Sequence, residues 1–438
     1  MNVDDITDLI LLIGTNPLPN YVVAKWFLIN PNCSIKRIWL VYSDANKLQA
    51  GTKDIAKRLS KILNEEFINV KIKYCPLSNI SRNDSIDNDI KKHIVKELKN
   101  YNDKNKLHLN YTGGTKTMSV HAYSYLRDAC KDNISFSYLD ARCFKIIGDS
   151  YCDIFDDNDL RNTIKIDIDK LLKLHGYERK PNEENCERWN NALDEFENII
   201  STDKINEYLS WCDEFISVVY YNRKGEFIKE KKKFIEHINA NNINAIIDSF
   251  NESKCETIRE LLQELPKEHS ILNEDGSLWI PDNELNNSLF KERLKPVEFL
   301  HGKWLECYVQ RIILGNEELK EYTIIKPLKF KTSKDKDVDI DIAILCGYQL
   351  IGISITTDTK DGTNKLKAFE VLHRVNQIGG EEARAMLISC LPGDHIKAFE
   401  EDIKTITGSN KEKFKAIGVS KLQKDSLIKE IKDFVCQV

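Results

Sequence analysis

The first 150 residues alternate short, unbroken apolar runs with stretches of helical spacing, and few folds accept that pattern. Leu9–Gly14 (LILLIG), Arg37–Tyr42 (RIWLVY), Val70–Cys75 and Leu107–Tyr111 read as strands. Between them YVVAKWFL, Lys47–Leu63 and Asp89–Leu98 place apolar residues at helical intervals, and a helix over Met118–Cys130 follows the fourth run. Ile134–Asp140 and Cys143–Ile147 read as a closing pair of strands. A strand that is apolar throughout is buried on both faces, which requires helices above and below a mostly parallel sheet. The expected fold class is therefore α/β, with a doubly wound sheet at the N-terminus.

A chain of 438 residues is too long for one core and divides by pattern into three parts. Residues 1–155 form the α/β unit just described. Residues 156–298 turn rich in Glu, Lys and Asn, with helical periodicity in WNNALDEFENII and CETIRELLQELPKEH, and read as a helical connector or insertion. Residues 299–438 open with a helix (GKWLECYVQRIIL), then a lysine-rich stretch, then two strands, VDIDIAIL and QLIGISITT, joined around Cys346-Gly347-Tyr348. A helix (FEVLHRVNQI), a strand (AMLISCL) and a helical tail make this a second α/β unit.

Net charge narrows the class of partner. Lys+Arg 64 against Asp+Glu 69 leaves −5, which excludes a globally basic nucleic-acid coat but leaves room for a local basic groove. The twelve cysteines are scattered singly, without CxxC pairs or zinc spacing, so reduced thiols and a cytoplasmic location are expected. The opening MNVDDITDLILLIG lacks the basic lead of a signal peptide, and no run of about 18 apolar residues occurs, so no membrane association is expected.

Two clusters carry chemistry. In an open parallel sheet, ligands bind outside the carboxyl ends of the strands. The loops expected there are Gly14-Thr15-Asn16-Pro17-Leu18-Pro19-Asn20, Ser43-Asp44-Ala45-Asn46 and Asn110-Tyr111-Thr112-Gly113-Gly114-Thr115-Lys116-Thr117-Met118. Paired glycines let backbone N–H groups approach a ligand, and the helix that follows turns its positive end to an anion. The loop is not a Walker A motif, because Thr115 separates the glycines from Lys116. The string NYTGGTKTM, with LIGTNPLPN at the first strand, resembles the CARF sensor domain of CRISPR-linked proteins over about residues 1–150. That resemblance implies a Rossmann-like homodimer binding a cyclic oligoadenylate, usually the tetra-adenylate, across its two-fold axis. By matching motif, the contacts fall on Thr15, Asn16, Pro17, Leu18, Thr112, Gly113, Gly114, Thr115, Lys116 and Met118. Ser43 and Asp44 are placed by loop topology alone.

In the second cluster, Glu306 lies on a mostly apolar helix, and Asp339 and Asp341 share one face of the expected strand VDIDIAIL. Ser354 and Thr356 on the next strand stand opposite them. Converging carboxylates of this kind hold a hard divalent cation. The plain alternative is a solvated hairpin face. FLHGKWLE, DVDIDIAI, LIGISITT and LHRVNQIGG together resemble the PD-(D/E)XK nuclease domain fused to CARF domains in CRISPR ancillary nucleases. The resemblance implies Mg²⁺ or Mn²⁺ on Glu306 and Asp341, with Asp339 assisting. It fails at one point: the usual acid-x-Lys reads Ser354-Ile355-Thr356. Lys360, Lys365 or Lys367, in the loop expected to follow, can supply the missing charge on a flexible stem. Lysines on both sides of the acids suit a nucleic-acid substrate, DNA or RNA, read without base selectivity. The expected function is a cyclic-oligoadenylate-activated nuclease. A sensor whose nuclease domain no longer cuts, and a ring nuclease that degrades its own signal, stand as alternatives.

Overall fold

A computed structural model describes residues 6–45, 51–99, 106–149, 158–181, 185–240, 243–252, 255–266, 270–281, 287–332, 334–408 and 412–436. Cys152 and the expected boundary at 155/156 lie outside them. The N-terminal unit is a six-stranded sheet in the order β3-β2-β1-β4-β5-β6. Its strands are β1 (Asp8–Leu12), β2 (Arg37–Ser43), β3 (Lys71–Leu77), β4 (Leu107–Asn110), β5 (Ile134–Asp140) and β6 (Lys145–Gly148). All neighbours are parallel except β5 and β6. Every residue of β1 and β2 is buried, as unbroken apolar runs require. The one acid in β1, Asp8, is satisfied in place. It accepts hydrogen bonds from Arg37 Nε at 2.5 Å and Nη2 at 2.7 Å, from Trp39 Nε1 at 2.9 Å and from Thr7 Oγ1 at 2.7 Å. His108 on β4 lies fully buried between the hydroxyls of Ser135 and Ser137, and burial pulls its imidazole down to about 3, so it is neutral.

The C-terminal unit is a five-stranded mixed sheet, with a small three-stranded sheet beside it in the order β10 (Asp337–Ile340), β9 (Leu328–Lys331), β7 (Glu178–Arg179). The order of the five-stranded sheet is β14 (Phe414–Ile417), β13 (Arg384–Ser389), β12 (Gln349–Thr356), β11 (Ile342–Cys346), β8 (Thr323–Ile325). A helix over Trp304–Gly315 covers the face formed by Ile351, Ile353 and Ile355, and a 19-residue helix over Asp361–Gly379 covers the other. Gly352 marks that second face: a Cβ there would sit 2.3 Å from Val375 of the long helix.

Two expectations are corrected. The run VDIDIAIL is not one strand, because β10 pairs with β9 while β11 pairs with β12 and β8, and the chain changes course at Asp341. The Asp341 carboxylate accepts the backbone N–H of Ile355 at 2.7 Å, a bond from the neighbouring strand that an uninterrupted ladder would spend on a carbonyl. The cysteines are not all free. Cys186 and Cys307 form a disulfide across 121 residues of sequence, while nine other described cysteines are thiols. Stacking of Trp189 on Phe299 at 4.4 Å and of Phe196 on Trp304 at 4.2 Å draws the two segments together.

The residues between the units fall into two sets. Those over 185–300 join the core on the Trp304–Gly315 face. Those over 158–181 pack between the units, sharing a core with Leu139 and Ile146 of the first and Leu345, Tyr348 and Leu350 of the second. Arg161 holds this junction, with its guanidinium 3.9 Å from the Phe144 ring and its Nη1 donating to Gln349 Oε1 at 2.7 Å.

Candidate functional sites

At the carboxyl ends of β1, β4 and β5, three adjacent strands, a cleft of 530 Å³ opens. Gly14, Thr15, Asn16, Thr112, Gly113 and Gly114 line it, as the sequence leads one to expect. The paired glycines are required by close approach. A Cβ on Gly113 would fall 2.0 Å from Leu12 O, and Gly114 has φ +79°. Their loop therefore lies directly on the end of β1, which leaves the space in front of it open.

The threonines behave differently from expectation. Thr112 Oγ1 donates to Asn110 Oδ1 and accepts from Leu139 N, both at 2.7 Å, so its proton is committed to Asn110 and its oxygen ties the loop after β4 to β5. Thr115 Oγ1 caps the helix Lys116–Cys130 by accepting Met118 N at 3.2 Å, which leaves its own proton to donate. Leu18 and Met118 are core residues, at 0 % and 2 % exposure. Pro17 is buried at the start of the helix Leu18–Ile29, and Lys116 is exposed on the first turn of its helix; neither lines the cleft. Ser43 is tied to Thr52, and Asp44 lies 4.0 Å from Lys53, both away from the cleft.

The cleft also has walls beyond the expected contacts: Tyr111 belongs to an expected loop, whereas Tyr138 and the turn after it are not signalled by the motif. Tyr111 and Tyr138 face each other with ring centroids 5.8 Å apart, and the turn Asp140-Ala141-Arg142 closes that side. Tyr138 and Asp140 lie at the end of β5 and Ala141 and Arg142 follow it, a position that is itself a signal, since β5 ends at the same sheet edge. Asp140 and Arg142 pair at 2.7 Å, and the guanidinium holds the Asp140 carboxyl below the ordinary carboxylate range. Glu381 and Glu382 come from the C-terminal unit, and nothing local in the sequence points to them.

In the C-terminal unit the expected acids fall into two neighbouring hollows. A small one of 40 Å³ gathers Asp339, Asp341 and Ser354 with Lys367, Glu370 and Arg374. A larger cleft of 700 Å³ includes Glu306, Thr356, His301, Asp358, Lys360 and Lys367. Asp341 accepts from Ile355 N at 2.7 Å and from Ser354 Oγ at 3.4 Å. Burial pushes its carboxyl up, against the opposing pull of that backbone amide and of the Lys367 charge. Asp339 is exposed and pairs with Arg374 at 3.1 Å. Among the described residues, no group of three or more His, Cys, Asp or Glu is disposed to hold a metal ion.

Lysine placement is likewise decided by the fold. Lys365 and Lys367 are not in a loop but in the helix Asp361–Gly379. Lys365 is turned away to Asp402 at 3.0 Å, whereas Lys367 borders both hollows. No described helix is long and apolar enough to cross a membrane.

The whole chain resembles two solved structures in fold. Protein VC1899 from Vibrio cholerae superposes with a TM-score of 0.59 at 16 % identity, covering 98 % of each chain. Can2 from Sulfobacillus thermosulfidooxidans, solved in complex with cyclic tetra-adenylate, superposes with a TM-score of 0.56 at 14 % identity, covering 98 % of this chain and 97 % of its own. No curated protein matches by sequence. Residues 9–166 match the Card1 CARF domain family, so the N-terminal unit, with its glycine-floored cleft, is a CARF domain.

Proposed function

We propose that the chain senses a cyclic oligoadenylate in its CARF cleft and answers with a metal-dependent nuclease in its C-terminal unit, as part of type III CRISPR defence. The cleft suits such a ligand chemically. Gly113 and Gly114 bring backbone to the phosphate side, and Tyr111 and Tyr138 offer ring faces on which adenines stack, each worth about 1–3 kcal/mol. A symmetric cyclic ligand calls for two copies of the cleft, and hence a homodimer.

One observation carries the nuclease half: Lys367 stands between the Asp341 and Glu306 hollows, where the charge missing at Thr356 is needed. Among the described residues the hydrogen bonds to Asp341 come from an uncharged amide and an uncharged hydroxyl while burial disfavours its ionised form, so a hard cation there would supply the missing counter-charge. Asp341 and Glu306 would hold the ion, and such an ion activates water and neutralises phosphate charge. Lys367 neutralises the scissile phosphate, Ser354 and Ile355 N fix the Asp341 carboxylate, and Arg374 holds Asp339 beside it. Lys360 adds positive charge along the larger cleft for a nucleic-acid backbone.

The test is cleavage of plasmid and single-stranded DNA and RNA with cyclic tetra-adenylate and Mn²⁺. Cutting that requires the ligand and is lost in E306A, D341A and K367A supports the reading. Ligand binding without cutting under any metal leaves a sensor with a silent effector domain, a reading favoured by Thr356. A ring nuclease would consume the ligand; the exposure of Lys116 outside the cleft weighs against its serving that chemistry.

A further inference from the structure

The N-terminal cleft is not built by the N-terminal unit alone. Glu381 and Glu382 line it, and both belong to the turn Gly380–Glu382 that ends the long helix Asp361–Gly379 of the C-terminal unit. The turn is fixed from both sides. Gly380 has φ 73° and ψ −153°, a conformation open only to glycine, and a Cβ there would lie 1.9 Å from Asn16 Nδ2. Asn16 Oδ1 in turn accepts Leu18 N at 3.0 Å and faces His175 Nε2 at 3.3 Å. Behind the turn, Gln349 Nε2 donates to Glu382 O at 2.8 Å, and Arg161 holds Gln349.

Glu382 is 5 % exposed, yet among the described residues its Oε2 has no hydrogen-bond partner. A buried carboxylate oxygen left unpaired is costly, and its usual remedy is a donor that arrives later. The cleft gathers glycine backbone at Gly113 and Gly114, the Asp140–Arg142 pair and the two acids Glu381 and Glu382. A phosphate is repelled by Glu381 and Glu382, so what reaches them is the part of a nucleotide that donates, a base amine or a ribose hydroxyl.

We propose that Glu382 is a ligand-contacting, specificity-determining residue of the CARF cleft, accepting a hydrogen bond from a nucleoside donor of the bound cyclic oligoadenylate. This rests on the reading of that cleft as the oligoadenylate site. It has a consequence for signalling. Gly379 and Lys367 lie on the same helix, 12 residues or about 18 Å apart, so a ligand drawn onto Glu382 acts on the lysine of the effector site through one continuous element.

The test uses the full chain and titration calorimetry, with cyclic tetra-adenylate, cyclic tetra-inosinate (no base amine) and a 2′-O-methyl tetra-adenylate (no free hydroxyl). Wild type binds the adenylate, and E382A binds it about tenfold or more weaker, as loss of a charged hydrogen bond requires. E382Q, which keeps an acceptor of the same shape, falls less. Wild type loses a similar factor with whichever analogue lacks the donor, and E382A does not distinguish that analogue from the parent. Without ligand, neither variant melts below wild type, whereas a purely structural glutamate would lower both. Unchanged affinity in E382A, or equal discrimination against both analogues in wild type and E382A, overturns the proposal. Failure of wild type to bind cyclic tetra-adenylate overturns instead the reading of the cleft on which it rests.

Discussion

Replacing Glu382 by Gln should change stability in a direction set by the burial of its carboxyl. Burial raises the Glu382 carboxyl from its ordinary 4.5 to about 7, against the pull of its own backbone N–H and of Lys413 and with a further push from Glu381. Tyr348, whose own buried hydroxyl has no hydrogen-bond partner among the described residues, adds no compensating positive charge. His175 faces Asn16 and is pulled down by burial to about 4, so it is neutral across most of this range. Below pH 4.5 the Glu382 carboxyl is protonated in folded and unfolded chains alike and costs nothing. Between pH 4.5 and about 7 the folded chain keeps a proton that the unfolded chain releases, so stability falls as pH rises. Above about pH 7 the full cost, about 3 kcal/mol, is in place. The wild-type and E382Q curves should therefore converge near pH 4.5 and separate progressively toward pH 7.5, with the variant more stable. For 438 residues melting as a unit, that gap corresponds to roughly 3–4 °C. Urea and thermal denaturation of the ligand-free chain at half-unit pH steps would measure it. Parallel curves, or a variant less stable at neutral pH, would refute the argument that this carboxylate is held unpaid in the empty cleft.

Other perturbations are equally specific. Arg37→Met leaves the buried Asp8 carboxylate without its counter-charge, with only Trp39 and Thr7 still donating to it, and should cost about 3–5 kcal/mol in denaturant melts, without touching the cleft directly. Gly113→Ala drives a methyl to within 2.0 Å of Leu12 O, so the loop must lift. A stability loss of about 1–3 kcal/mol and weakened cyclic tetra-adenylate binding by calorimetry are expected. Lys367→Ala should lower ligand-activated cleavage by about a hundredfold or more while leaving ligand affinity intact, and Lys365→Ala, whose lysine is spent on Asp402, should not. Mass spectrometry of alkylated protein should gain two labels on reduction, at Cys186 and Cys307, and Cys186→Ser should lower the melting temperature.

Much of the fold was legible because the forces that specify it act locally along the chain. Buried strands such as LILLIG and RIWLVY reveal themselves without knowledge of their neighbours. The NYTGGTKTM string likewise marks its own loop, since a backbone contact that excludes a Cβ leaves glycine as the only choice. Which residues of that string meet the ligand was less legible. Leu18 and Met118 turned inward to the core, and Thr112 spent its hydroxyl on a neighbouring strand, because burial depends on what packs above a residue and not on its motif position. Asp339 and Asp341 obeyed the period of a strand in sequence, yet the chain breaks between their ladders when Ile355, fourteen residues on, claims the Asp341 carboxylate.

The alternation of apolar runs and helices by itself determined an α/β chain and the place of its N-terminal cleft. Only the tertiary structure decided that Glu382 closes the N-terminal cleft from the other unit, that Lys367 and not Lys365 reaches Asp341, and that Cys186 finds Cys307. Each of these joins segments far apart in sequence. Such pairings are chosen by how whole layers pack, through contacts between residues whose local patterns carry no trace of one another.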